Sequence, residues 1–200
     1  MLVHSSSLPY PLILASSSKP RHELLQKLCL PFETCIPDID ESPLPDEPPE
    51  KMVQRLAIEK AQAVAERRPA ALIIASDQVA MHKQGILGKP LTHERALEYL
   101  MSLSGETTTF VNGLCLLNSA TGHMQSDLVR FIVHFRAFNP QTAERYLQQE
   151  QPYQCAGAIR SEGLGISLFT QLEGSDPNAL IGLPLIRLVD MLLQEGVQIP

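Results

Sequence analysis

The chain alternates short apolar runs with longer segments of helical periodicity, and this alternation constrains its fold more than any other feature. Residues 12–15 (LILA) and 70–76 (AALIIAS) contain no charged side chain. A strand buried on both faces has this composition, because helices cover both sides of the sheet. Helical patterns follow the first run and precede the second. The sequence therefore predicts a mixed α/β protein with parallel and antiparallel portions.

The remaining segments complete this prediction. A short strand is expected at 32–36, and a turn over His82–Gly85 leads into a strand at Ile86 and Leu87. Residues 107–117 and 124–138 form a predicted antiparallel hairpin, and 166–169 form a further strand. Helices are expected from about 20, over 49–67, from an N-cap at Thr92 to about 103, from a cap at Asn139 to about 150, and over 177–194.

Composition limits the classes of function. With 44% hydrophobic residues among 200, the chain can bury a core, and its net charge of −6 argues against a generally basic nucleic-acid binder. The apolar runs are far shorter than the roughly 20 residues of a membrane-spanning helix. Residues 1–11 lack the pattern of a signal peptide. The four cysteines show neither C-x-x-C nor zinc spacing, which predicts reduced, mostly buried thiols in a cytoplasmic protein.

Residues 16–21 (SSSKPR) join a predicted strand to a predicted helix. Hydroxyl groups, free amides at a helix start and a neighbouring Arg21 suit phosphate oxygens. The stretch is not a P-loop, because the G-x-x-x-x-G-K-[ST] pattern is absent. An ordinary helix cap with solvated Lys19 and Arg21 is the alternative.

Carboxylates occur at two points where a cation or a water could be held. Asp77 directly follows 70–76, so the sequence places it at the carboxyl end of a buried strand, where ligands of open α/β sheets gather. It could bind Mg²⁺ or orient a water, or simply terminate the strand in a turn. Asp38, Asp40 and Glu41 lie in a proline-rich loop, which either supplies ligands for a hard cation or only solubilises the chain.

Two lysines could bind a polyphosphate. Lys60 lies on the predicted helix 49–67, and Lys89 lies between Gly88 and Pro90 in a turn. The alternative for either is a solvated surface lysine. The glycine-containing loop at 155–165 allows a close backbone approach to a ligand, or ordinary turns. Taken together, separated cations, hydroxyls and carboxylates describe a metal-assisted polyphosphate site.

The ordered motifs resemble the Maf nucleoside triphosphate pyrophosphatases from about residue 12 to the last helix. They are LILASSSKPRHELL, PDIDES, RLAIEKA, IIASDQV, GKPLT, LSGETTTFVNGL, CAGAIRSEG and LEGSDPNALIGLP. The resemblance implies one α/β domain over 12–200 after an N-terminal extension of 1–11, with two lobes, a mixed sheet, flanking helices and a central cleft. It also implies a homodimer that hydrolyses nucleotides between the α and β phosphates as a house-cleaning activity, with Mg²⁺ or Mn²⁺.

The resemblance also implies roles for single residues. The matched positions are Ser16 and Arg21 in the opening phosphate-binding motif, Glu41 as the acidic, metal-holding residue, Lys60 and Lys89 as phosphate-binding lysines, and Asp77 as the general base. The chain departs from the family's S-x-S-P-x-R-R pattern. Its proline is displaced by one position, and His22 replaces the second basic residue.

Within the family, the chain most resembles the 7-methyl-GTP branch, through SDQ, IRSEG and the stretch from GHMQSD to VHFR. Pro20, Gln78 and Glu162 match the positions that set base choice. The Glu162 carboxylate can accept both N–H groups of guanine's pairing edge, and a cationic 7-methylated ring favours a carboxylate nearby. Pro20, where the branch often has Trp, offers a flat apolar contact. The alternatives are a dTTP/UTP-type enzyme of the same family and a regulatory nucleotide-binding protein linked to cell division.

Overall fold

The computed structural model describes residues 8–83 and 85–199. The predicted extension therefore lies mostly outside the described residues, as does Gln84 in the predicted turn. The described strands are β1 Leu12–Leu14, β2 Glu33–Thr34, β3 Leu72–His82, β4 Gly85–Leu87, β5 Thr107–Asn118, β6 Met124–Phe135 and β7 Phe169–Glu173. The described α-helices are α1 Lys19–Gln26, α2 Pro49–Ala65, α3 His93–Leu103, α4 Pro140–Glu150, α5 Asn178–Ile181 and α6 Leu185–Gln194.

These strands form one mixed sheet in the order β2-β1-β3-β5-β6-β7, with β4 also paired to β3. β1 pairs in parallel with both β2 and β3, with Ile13 opposite Ile73. The pairs β3–β4 and β6–β7 are antiparallel. The predicted mixed α/β class, with parallel and antiparallel portions, is confirmed.

The chain divides into two compact units. Among the described residues, unit 1 comprises 8–77, 112–129 and 182–199, and unit 2 comprises 78–111 and 130–181. β3, β5 and β6 each contribute residues to both units. The central cleft and the two lobes implied by the resemblance stay predictions.

The core of unit 1 forms where α2 packs on the sheet. Ala57 and Ala61, one helical turn apart, are fully buried against Ile13 and Ile73. Small side chains on α2 let the helix approach the strands closely. At Gly113 on β5, a Cβ would lie 2.0 Å from the carbonyl oxygen of Val53, so only glycine fits there.

A buried carboxylate ties the chain end of unit 1 to the sheet. Glu195, just after α6, accepts hydrogen bonds from Asn118 Nδ2 at 2.7 Å, from Gln125 Nε2 at 3.2 Å and from the His123 ring. Burial opposes ionisation, but these hydrogen bonds outweigh it and lower the pKa of Glu195. The interaction fixes the end of α6 beside the β5–β6 connection.

Two helices of unit 2, α3 and α4, begin at the predicted caps. Thr92 Oγ1 accepts from the Arg95 amide at 3.3 Å, and Asn139 Oδ1 accepts from the Thr142 amide at 2.9 Å. α3 packs against α4. No helix in 8–83 or 85–199 has the length and apolarity that crossing a membrane requires.

Three predicted elements differ from the structure. β3 does not end at Ser76 but continues to His82, and its last three residues pair with β4. Residues 166–169 lie mostly in a 3-10 helix, Leu164–Leu168, and the strand follows as β7. The predicted last helix is two helices, α5 and α6, and Pro184, which lacks an amide hydrogen, is the N-cap of the second.

The cysteines also differ from their prediction in part. All four are free thiols, as expected, but Cys29 is exposed and Cys35 and Cys155 are half-buried. Cys115, on β5 in the core of unit 1, is buried. Burial there raises the pKa of its thiol to about 12. The prediction that most of the thiols are buried is therefore wrong.

Candidate active site

Lys60 is the centre of the candidate site in unit 1. Only 6% of its side chain is exposed, and Nζ lies 2.6 Å from Asp77 Oδ1 and 3.0 Å from Glu41 Oε2. The middle of α2 carries this lysine toward β3, while its own neighbours Ala57 and Ala61 pack in the core. A solvated surface lysine, the alternative, is wrong for Lys60.

Asp77 is also nearly buried, with 12% of its side chain exposed. It lies within β3 and not at the end of the strand, so neither the predicted strand end nor the alternative turn is correct. Its Oδ1 accepts from Lys60, and Oδ2 has no hydrogen bond among the described residues. One carboxylate oxygen is thus held by a cation, while the other can accept a proton from a water.

Serine hydroxyl groups accept hydrogen bonds from backbone amides at the start of α1. Ser16 is buried at the end of β1, and its Oγ accepts from the Ser18 amide at 3.1 Å. Ser18 is the N-cap, and its Oγ accepts from the Arg21 amide at 3.4 Å. Since Pro20 has no amide hydrogen, few backbone donors remain for an anion. The capping alternative is correct for Ser18, while the phosphate-binding role of Ser16 and Arg21 stays a prediction.

Arg21 is held at the same end of unit 1. Its Nε donates to the Gly182 carbonyl at 2.9 Å, and Ser76 Oγ donates to the same oxygen at 3.1 Å. Burial lowers the pKa of the Arg21 guanidinium, while the nearby Asp77 and Glu41 carboxylates oppose that change. Sequence reasoning missed Ser76 and the Gly182 carbonyl as parts of this arrangement, although both lie in motifs quoted above.

Glu41 is the member of the acidic loop that reaches the site. Its side chain is 57% exposed and contacts Lys60, whereas Asp40 Oδ1 accepts from the Ser42 amide in its own loop. No three His, Cys, Asp or Glu side chains converge as metal ligands in the described part of the chain. The protein can offer Glu41 and Asp77, and Mg²⁺ commonly takes one or two carboxylates together with substrate phosphates and water. The residues therefore fit a divalent cation that binds with a phosphate ligand.

Lys89 lies in unit 2 and is exposed. Its loop is fastened on both sides, because the Gly157 amide donates to the Gly88 carbonyl and the Leu91 amide to the Tyr153 carbonyl, each at 3.0 Å. The loop is ordered by these bonds, but the lysine itself has the exposure of a surface residue. The phosphate-binding role of Lys89 stays a prediction.

The predicted base-specificity residues have defined surroundings. Gln78 Nε2 donates to the carbonyls of Ala179 and Leu180 at 2.8 and 3.1 Å, which fixes its amide in unit 2. Glu162 Oε1 accepts from Arg160 Nε at 3.3 Å in the same unit. In unit 1, Pro20 is half-buried in the first turn of α1.

His22, which replaces the family's second basic residue, contacts Thr34 and Gln26. Its Nδ1 lies 3.3 Å from Thr34 Oγ1, and its Nε2 lies 3.3 Å from Gln26 Nε2. Its ring also contacts Phe32. The arrangement ties α1 to β2, whereas Lys60 and Arg21 both interact with Asp77.

We compared the chain with models of protein families and with known proteins. A family model described as Maf-like protein matches residues 11–195. The chain belongs to the Maf family.

Similar proteins named 7-methyl-GTP pyrophosphatase occur in several bacteria. The one from Pseudomonas fluorescens (strain Pf0-1) is 59% identical over 190 residues, which cover 95% of this chain and 99% of that protein. The Nitrosococcus oceani protein is 57% identical, covering 96% of each chain. The Pseudomonas aeruginosa protein is 54% identical, covering 94% of this chain and 98% of its own.

Proposed function

We propose that this protein is a nucleoside triphosphate pyrophosphatase that hydrolyses 7-methyl-GTP to 7-methyl-GMP and pyrophosphate. The observation that carries the proposal is the buried Lys60, whose Nζ is held by Asp77 and Glu41 in a chain of the Maf family. The names of relatives with 54–59% identity over nearly the whole chain support the substrate.

The charges of unit 1 support a metal cofactor. Lys60 and Arg21 contribute two positive charges, and Asp77 and Glu41 contribute two negative ones. The four groups therefore offer no net positive charge to a triphosphate. A divalent cation supplies the missing charge, and Mg²⁺ or Mn²⁺ suits carboxylate and phosphate oxygens. In this proposal Glu41 would hold the cation, which would supply Lewis-acid polarisation of the phosphate, while Asp77 is kept for the base role.

The residues of unit 1 have distinct roles in this proposal. Lys60 and Arg21 bind phosphate oxygens and offset the charge that develops on them, and the Ser16 hydroxyl adds a hydrogen bond. Asp77 accepts the proton of the attacking water at Oδ2, since Oδ1 is engaged by Lys60. Attack on phosphorus then breaks the bond between the α and β phosphates.

In unit 2, we assign Lys89 to the phosphates and Gln78 and Glu162 to the base, with Pro20 of unit 1 as an apolar base contact. The fixed amide of Gln78 keeps its Oε1 as an acceptor. The Glu162 carboxylate pairs with the N–H edge of guanine, and its charge favours the cationic 7-methylated ring.

The remaining assignments concern the setting. We propose that the protein is a homodimer and that it acts in the cytoplasm. Its ligand is a single nucleotide and not a nucleic-acid polymer. The net charge of −6 supports the exclusion of a polymer, because phosphate backbones attract basic surfaces.

A nucleotide panel with product identification tests the activity. The purified protein is supplied with Mg²⁺ or Mn²⁺ and with 7-methyl-GTP, GTP, dTTP or UTP, and products are separated by ion-exchange chromatography. We expect the highest kcat/KM for 7-methyl-GTP, with monophosphate and pyrophosphate as products. A preference for dTTP or UTP would contradict the substrate assignment, and nucleotide binding without turnover would favour a regulatory protein.

Asp77→Asn tests the general base. This variant keeps the shape and can still accept a hydrogen bond from Lys60, but it cannot take up the proton. We expect kcat to fall by about 10²–10⁴-fold, with the circular dichroism spectrum unchanged. Wild-type turnover by this variant would exclude Asp77 as the base.

A further inference from the structure

The loop that carries Glu162 is fastened to the end of α4 by one carboxylate. Glu150, the last residue of α4, has only 10% of its side chain exposed. Its Oε2 accepts from the Leu164 amide at 2.6 Å, and its Oε1 accepts from Arg160 NH1 at 2.9 Å. The residues on both sides of Glu162 are therefore bound to the same side chain.

The Glu150 carboxylate also fills the space beside Gly163. A Cβ at Gly163 would lie 2.6 Å from each carboxylate oxygen. This residue follows Glu162 directly, and its amide donates to the Arg160 carbonyl at 3.3 Å. The 160–164 turn is thus packed against the Glu150 carboxylate.

Arg160 is shared between two carboxylates. It gives NH1 to Glu150 at 2.9 Å and Nε to Glu162 at 3.3 Å. Its amide donates to the Tyr146 hydroxyl at 3.1 Å, so its backbone is anchored to α4 as well. The contact to Glu150 is the shorter of the two. Without the charge on Glu150, the guanidinium would pair more closely with Glu162 and compete with a ligand for that carboxylate.

We propose that Glu150 is a positioning residue for base selectivity. By holding Arg160 and the 160–164 turn, it keeps the Glu162 carboxylate available to the N–H edge and the positive charge of the base, although it acts only through Glu162. The inference rests on the proposed function and adds to it a residue outside the matched specificity positions.

The test compares Glu150→Gln with a matched control, Glu144→Gln. Glu144 lies on the same helix and carries the same charge, but it contacts His93 and Gln148. The readout is the ratio of kcat/KM for 7-methyl-GTP to that for UTP, together with the ratio of Kd values from calorimetry. We expect E150Q to lower both ratios by about tenfold or more, which corresponds to about 1.4 kcal/mol, and E144Q to leave them unchanged.

A double-variant cycle separates positioning from general destabilisation. In the Glu162→Gln background, E150Q should have no further effect on either ratio, because its action passes through Glu162. Unchanged ratios in E150Q would overturn the inference, as would an equal loss for both nucleotides or a full additional loss in the double variant.

Two further outcomes keep the inference and the proposed function apart. If wild type turns over 7-methyl-GTP but E162Q keeps the wild-type ratios, the activity stands and the inference fails. If wild type turns over no nucleotide, the proposed function fails and the Kd ratios still decide the inference. Should E150Q not fold, Gly163→Ala displaces the carboxylate without changing its charge: reduced ratios support the inference, and unchanged ratios overturn it.

Discussion

Replacing Lys60 with Met gives the most direct measure of the buried cluster in unit 1. Methionine keeps much of the length and apolar volume of the lysine stem but removes the charge. Asp77 then loses the ammonium group 2.6 Å from its Oδ1 while its side chain remains 12% exposed. Glu41 also loses its contact with the ammonium group, but its side chain is 57% exposed, so water can solvate its carboxylate.

The expected cost follows from the charge left behind. Removing one partner of a buried ion pair destabilises a protein by about 3–5 kcal/mol. Arg21 also faces Asp77 and compensates part of its charge, so we expect the lower end of that range. A loss of about 3 kcal/mol lowers Tm by roughly 6–12 °C in a chain of this size. Asp77→Asn in the K60M background should restore at least about 1 kcal/mol, since a neutral amide is less costly to bury than an unpaired carboxylate.

Urea denaturation followed by circular dichroism gives these free energies of unfolding. Lys51→Met is the matched control, because Lys51 is exposed near the start of the same helix, and we expect it to change stability by less than about 0.5 kcal/mol. A K60M cost equal to that of K51M, or a double variant no more stable than K60M, would refute the account of Asp77 as a buried charge neutralised by Lys60.

The remaining predictions concern packing, thiol reactivity and pH. Gly113→Ala should reduce the free energy of unfolding by about 1–3 kcal/mol, since the new methyl group would overlap the Val53 carbonyl. Cys115 should resist a thiol reagent at pH 8 until the protein is unfolded, because burial raises the pKa of its thiol to about 12. Glu195→Gln should cost about 1–3 kcal/mol near pH 7. Because three hydrogen bonds outweigh burial and hold the pKa of Glu195 below its ordinary value, that cost should shrink as pH falls through this lowered pKa.

Each of these predictions has a contradicting result. An Ala variant at Gly113 as stable as wild type would mean that α2 does not approach β5 as closely as described. Four thiols reacting at equal rates in the folded protein would contradict the burial of Cys115. For Glu195→Gln, a stability difference that is constant between about pH 3 and pH 7 would show that the carboxylate is not preferentially ionised in the folded state.

Local sequence signals predicted most elements because each has a local cause. Thr92 and Asn139 cap α3 and α4 as expected, since a cap needs only a side chain and an amide three residues away. The predicted end of β3 was wrong because the true end depends on a non-local contact. The apolar run stops at Ser76, but pairing with β4 extends the strand to His82, and pairing is not a property of one segment.

For the candidate site as well, the sequence identified residues by position but not the contacts between distant segments. The motif resemblance identified Ser16, Arg21, Glu41, Lys60 and Asp77 by position. It did not show that Lys60 is buried between two carboxylates or that the Gly182 carbonyl anchors Arg21. Arg21 and Gly182 are 161 residues apart in the chain, so no periodicity or spacing could relate them.

By itself, the sequence determined the alternation of strands and helices, the helix caps and the family, because these depend on local side-chain chemistry and on ordered motifs. The tertiary structure decided which charged side chains are buried and which groups they contact. It removes Lys60 and Asp77 from water while leaving Lys89 exposed, and it sets the Glu150 carboxylate beneath the turn that carries Glu162. The physical reason is that burial and partner choice, which set the strength of an ion pair, arise only when distant segments pack together.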